Sequence, residues 1–123
     1  PVFYLQYAYA RICNIIKHGD ERGSTLIDTF DQKLLNQENE LKLMKLMSNF
    51  PVVMHNALET LEPQNIVNYL QSLATQFHKF YGTCKVITDS KELTQSRLGL
   101  ILSTKIILST GLSILGIGAP ERM

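Results

Sequence analysis

Three residues near the start of the chain could act together: Tyr4, Tyr7 and Arg11, spaced by three and four. At ~100° per residue they fall within roughly 60° of one helix face. A fourth aromatic, Tyr81, stands at the C-terminal edge of a later apolar stripe. Exposed tyrosines beside an arginine have a definite use. Their rings stack on splayed bases while the guanidinium holds a phosphate, which is how single-stranded RNA loops are usually read. On spacing alone the plainer reading weighs more, that of core-edge tyrosines whose hydroxyls meet water.

Other chemistry is thinly represented. His18, His55 and His78 stand at no metal-ligand spacing from one another, from a cysteine or from an acid, so helix-edge positions are expected for all three. Gly116-Ile117-Gly118 follows an apolar run rather than opening a helix, and reads as a stop signal, not a phosphate loop. No Ser or Cys has a base placed beside it by sequence logic. Lys85, one turn past Tyr81, reads as an ordinary solvated lysine. The residues do not support a self-contained enzyme.

Helices must position these groups, because helical periodicity dominates and no run alternates like a strand. The first helix is expected over about Phe3 to His18, with Leu5, Ile12 and Ile16 facing the core and Gly19 as its cap. Residues 20–37 read as a long, partly mobile loop tacking Leu26, Ile27 and Phe30 onto the core. A helix from Glu38 to Phe50 would turn Leu41, Met44, Leu46 and Met47 inward, and Pro51 breaks it before a short helix to about Leu61. Pro63 suits the first turn of a long helix to Tyr81–Cys84, whose stripe is Ile66, Leu70, Leu73, Phe77, Phe80 and Cys84. VITDSKEL is the one candidate for extended chain, with Ser90 capping a last helix from Lys91 to Leu115. In that helix Ile101, Leu108, Leu112 and Leu115 share a face, with Leu100, Ile107 and Ile114 on the next. Lys105 in mid-span would be costly in lipid, so a central bundle helix is expected rather than a membrane span. The fold class is all-α, a bundle of four to five helices in one domain.

Composition agrees with that class. The 123 residues are 45% hydrophobic and 19% charged, and the net charge of +1 argues against attachment to nucleic acid or membrane by bulk charge. The charge is uneven: residues 28–62 carry three basic against six acidic groups, whereas residues 63–123 carry six against three. An anionic partner is expected at the two ends of the chain, not its middle. Cys13 and Cys84 match no disulfide framework or metal spacing, which suits a reduced, cytoplasmic setting. No basic stretch precedes an apolar core at the start, so no secretory signal is expected.

Three stretches carry a resemblance. PVFYLQYAYARICNIIK resembles the opening helix of the C-terminal, DALR-type anticodon-binding domain of arginyl-tRNA synthetases, where members read close to PVFYVQYAHARI. LEPQNIVNYLQSLATQFHKFYGTCKV is similar to the family's long helix ending in Phe-x-x-Phe-Tyr. SRLGLILSTKIILSTGLSILGIGAPERM resembles its final helix and tail, with Gly-Leu-x-x-Leu-Gly and Pro-Glu-Arg-Met. The likeness covers essentially the whole chain, and only residues about 19–50 are generic.

The resemblance implies a piece of a longer ligase that joins arginine to tRNA-Arg using ATP and Mg²⁺. An upstream catalytic domain in the same chain would do the chemistry, and this domain, without a cofactor of its own, would dock the anticodon stem-loop. It implies that Tyr4, Tyr7, Arg11, Tyr81 and Met123 approach the loop, and a monomer free of membranes is expected. Tyr9 stands where members have His, which leaves that position's role open. Arginine codons require a middle cytosine in every arginine anticodon, so the reader must grip that base and tolerate G or U beside it. Two alternatives are the anticodon domain of a cysteinyl- or glycyl-tRNA synthetase and a helical protein–protein adaptor with a tyrosine hot spot.

Overall fold

A computed structural model describes residues 2–26 and 30–123. Five α-helices are present among them: α1 Val2–Glu21, α2 Glu38–Ser48, α3 Phe50–Thr60, α4 Gln64–Thr83 and α5 Lys91–Ile114, with a 3₁₀ turn at Gln32–Leu34 before α2. VITDSKEL forms no strand; its last residues open α5, where the Ser90 hydroxyl accepts from the Leu93 amide at 3.2 Å.

The apolar stripes converge as their spacing requires. Leu5 and Ile12 of α1, Leu70, Leu73, Phe77 and Phe80 of α4, and Leu100, Ile101, Leu108 and Leu112 of α5 are buried together. By length and composition α5 is apolar enough to cross a membrane, but half of its most apolar window lies inside the protein. First and last helices pack against each other, with α4 against both, α2 on α4 and α5, and α3 on α4 and α2. Burial of the stripes drives this arrangement, each large apolar side chain contributing about 1.5–3 kcal/mol.

Two positions of close approach set how tightly α5 can seat. A methyl at Gly99 would fall within the Phe30 ring, and one at Gly111 would lie 2.7 Å from Leu70 Cδ1. In Gly-Leu-x-x-Leu-Gly, then, Gly111 admits α4, Leu112 is buried, and Gly116 at φ +74° closes the helix. The amides of Gly116 and Ile117 donate to the Ser113 and Leu112 carbonyls, so the last turn leaves few acceptors open.

Several details depart from the sequence expectation. Helix α1 runs past Gly19, which is buried within it, and the left-handed residue is Gly23 at φ +79°. The Gly19 carbonyl accepts from the Ser24 amide at 2.7 Å, and a methyl at Gly19 would lie 2.9 Å from the Ser24 carbonyl oxygen. In α2, Leu41 is half exposed, and the buried positions are Glu40 and Leu43. Apolar residues surround that helix on most sides, so its phase is set by what α4 and α5 offer. Residues 30–35 carry more anchors than a mobile loop would: Leu35 is buried, and the Ser96 hydroxyl donates to the Asp31 carbonyl at 2.9 Å. Ile27 lies outside the described residues.

The partner of Glu40 is Arg97, whose Nε donates to Glu40 Oε2 at 2.7 Å with both side chains almost fully buried. Glu40 Oε1 also accepts from the Gln37 amide at 3.0 Å, and Arg97 Nη1 donates to the Lys85 carbonyl. One ion pair thus fastens the start of α2, the start of α5 and the chain leaving α4.

Candidate nucleic-acid interface

Helix α1 presents Tyr4, Tyr7 and Arg11 on one exposed stripe, but their surroundings differ. Tyr7 is 59% exposed and has no ring or hydrogen-bond partner among the described residues. Tyr4 is fixed to α4. Its hydroxyl lies 3.1 Å from Thr75 Oγ1, and its ring centroid is 6.2 Å from that of His78. His78 also meets the Phe77 ring edge-on at 5.9 Å. Burial, and then the nearby Arg11 charge, hold its imidazole below the usual pKa of 6.5. A neutral His78 is therefore the spacer between Tyr4 and the core, a role that no spacing rule in the sequence announces.

Arg11 links the two helices across this face. Its guanidinium carbon lies 5.7 Å from the Tyr81 ring centroid, within cation–π range. The Tyr81 ring runs nearly parallel to Phe77, 11° apart at 6.1 Å, so Tyr81 is a half-buried, already engaged aromatic.

The C-terminal tail brings Met123 to the same face. After Gly116 turns the chain, Gln6 Nε2 donates to the Gly118 carbonyl at 3.0 Å, pinning the tail along α1. Ile117 and Ala119 pack on the core, and Glu121, Arg122 and Met123 border an open groove with Tyr7, Arg11 and Asn14. That groove has a volume of about 360 Å³. Of the five residues singled out from the sequence, Tyr7, Arg11 and Met123 share it. Tyr81 joins through Arg11, and Tyr4 sits apart against α4.

Tyr9, at the position where His was expected, is buried and lies on the other side of α1 from Tyr7. Burial first, then Cys13 and Glu121 nearby, push its phenol pKa up. In this chain the position belongs to the core instead of facing the groove. Lys85 is exposed. Among the described residues no three His, Cys, Asp or Glu side chains come together in a metal-binding group.

The stripe on α1 continues beyond Arg11. Asn14 and His18, and Arg22 one residue past the helix, follow it along a second groove of about 290 Å³, walled by Tyr81 of α4 and by Val86 and Ile87 after it. Residues three and four apart carry this continuation, the same signal that relates Tyr4, Tyr7 and Arg11.

Known proteins give the face a context. Residues 5–123 match the family described as the DALR anticodon binding domain. The whole chain is 44% identical, over 124 residues, to part of the arginine–tRNA ligase of Listeria welshimeri. It is 42% identical, over 123 residues, to part of the arginine–tRNA ligase of Salinibacter ruber. In both cases it spans 22% of the relative's length. Among solved structures it superposes on the arginyl-tRNA synthetase of Thermus thermophilus with a TM-score of 0.83 at 30% identity, covering 98% of this chain and 21% of that one.

Proposed function

The chain belongs to the DALR anticodon-binding domain family, and from that premise we propose that it docks the anticodon stem-loop of tRNA-Arg for an arginine–tRNA ligase. The observation that carries the reading is the shared groove of Tyr7, Arg11 and Met123, joined by Arg11 to Tyr81. Its parts divide the work. Tyr7, exposed and unpartnered, is the stacking surface for a splayed base. Arg11 supplies fixed positive charge for a backbone phosphate. Tail groups near Met123 offer hydrogen-bonding partners for the middle cytosine, which presents an amino donor beside carbonyl and ring-nitrogen acceptors.

Tyr4 and His78 support this surface from below, and Tyr81 holds the Arg11 guanidinium at its height. Activation of arginine with ATP and Mg²⁺ is assigned to another domain of the longer ligase. The glycines of the tail close a helix instead of opening one, so they do not fit a phosphate cradle and take no part in that chemistry.

The test is fluorescence anisotropy with a labelled arginine anticodon stem-loop. Tyr7→Ala should weaken binding by about 1–3 kcal/mol, the value of one stacked base. Arg11→Ala should weaken it and flatten its salt dependence. Wild-type affinity in both variants would refute the assignment. Equal affinity for loops carrying U or A in the middle position would show docking without reading.

A further inference from the structure

We propose that the groove along the C-terminal half of α1 is a second nucleotide site, taking one more nucleotide of the same RNA with its phosphate on Arg22 and its base against Val86 and Ile87. This rests on the RNA-docking reading above and extends it along α1 past the Tyr7 groove, with which the second groove shares Arg11 and Asn14.

The groove pairs two chemistries. Ile15, Val86 and Ile87 form an apolar wall, while Asn14, His18 and Arg22 line the rim. Among the described residues the side chains of Asn14 and Arg22 make no hydrogen bond or ion pair. Unanswered donors beside an apolar wall suit a ligand with an anionic part and a flat, weakly polar part, which is the make-up of a nucleotide. The volume, about 290 Å³, lies near the lower end of small-ligand clefts, roughly 300–1,000 Å³.

Register and charge agree. Arg22 is the first residue past α1, and its amide still donates to the His18 carbonyl at 3.2 Å, so the helical path reaches it. Eleven residues, three turns, set it within ~20° of the Arg11 line and about 16 Å further along the axis. The two arginines can therefore hold two separate phosphates of one strand. The neighbouring acids have local partners of their own: Glu21 lies 3.7 Å from His18 Nδ1, and Asp20 accepts from the Thr25 hydroxyl at 2.7 Å. A helix C-terminus ordinarily repels anions through its open carbonyls. Here the Gly19 and Asp20 carbonyls are taken by the amides of Ser24 and Gly23.

The experiment titrates a labelled arginine anticodon stem-loop at several salt concentrations. Arg22→Gln should lower affinity about fivefold and reduce the slope of log K against log salt by about 0.7–1, as expected for one lost phosphate contact. The loss should be the same for loops with altered middle bases, because a phosphate carries no sequence. Ile87→Ser should lower affinity and leave the slope unchanged. Lys45→Gln on exposed α2, an identical charge change, should alter neither. Equal effects of Arg22→Gln and Lys45→Gln overturn this site, as does a loss confined to one middle base. If Arg11→Ala weakens binding while Arg22→Gln and Ile87→Ser do not, this site alone falls. If the wild-type chain binds no stem-loop, the docking reading falls with it.

Discussion

Removing Glu40 tests whether the buried ion pair organises the bundle. In Glu40→Ala the Arg97 guanidinium loses the carboxylate 2.7 Å away while its side chain stays 9% exposed, and the Gln37 amide loses its acceptor. An uncompensated buried charge costs about 3–5 kcal/mol, out of the roughly 5–15 kcal/mol that holds a domain together. For a chain of this length, each kcal/mol moves the melting midpoint by roughly 3–6 °C, so the midpoint should fall on the order of 10–30 °C. Far-UV circular dichroism during heating reads it. The exposed Glu38–Lys42 pair, 2.8 Å apart, is the control, and its loss should leave the midpoint in place. Replacing both partners, Glu40→Leu with Arg97→Met, should recover most of the stability, because the cost lies in the orphaned charge. A Glu40→Ala midpoint within about 3 °C of wild type would refute the argument.

Two further outcomes follow from packing and burial. Gly99→Ala should destabilise by about 1–3 kcal/mol through overpacking against Phe30, and in a Phe30→Ala background the same change should cost far less; additive urea midpoints would disprove the contact. Burial pushes the Tyr69 phenol from 10.0 to about 12, and its hydroxyl donates to the Leu46 carbonyl at 2.6 Å. A raised folded-state pKa gives stability that is full below pH 10 and is lost as pH rises through about 12. Alkaline unfolding should begin in that window and lose this component in Tyr69→Phe; an unchanged profile would be the contrary result.

Much of the fold was legible because local signals agreed with the global one. Pro51 signals a break between α2 and α3, although the break falls at Asn49 and Phe50 already opens α3; Ser90 marks the start of α5, and the α4 stripe is buried at every named position. The failures share a cause. Periodicity points to Leu41 and is silent on Leu43, Glu40 and Arg97, because it assumes that charges face water. Glu40 turns inward only because Arg97, 57 residues away, meets it. Gly19 and Gly23 compete for one helix end, and the loop that crosses Gly19 decides between them. At the candidate interface, spacing related Tyr4, Tyr7 and Arg11 correctly but did not show that Tyr4 is bonded to α4. Nor could it show the tail lying beside Tyr7, since the Gln6–Gly118 bond that lays it there joins residues 112 apart.

That same bond bears on how the protein is made. The two walls of the Tyr7 groove come from the first helix and the last residues, so no shorter nascent chain contains the groove. At synthesis rates of ~5–20 residues per second, roughly 5–20 s pass between the emergence of Leu5 and that of its α5 partners. Throughout that interval the inner face of α1 lacks the helix that will cover it. Until then only α4 can cover part of it, and apolar surface left open in this way is prone to aggregation. The Tyr7 groove is the last part of the domain to exist, and an interrupted product carries the exposed apolar face without it.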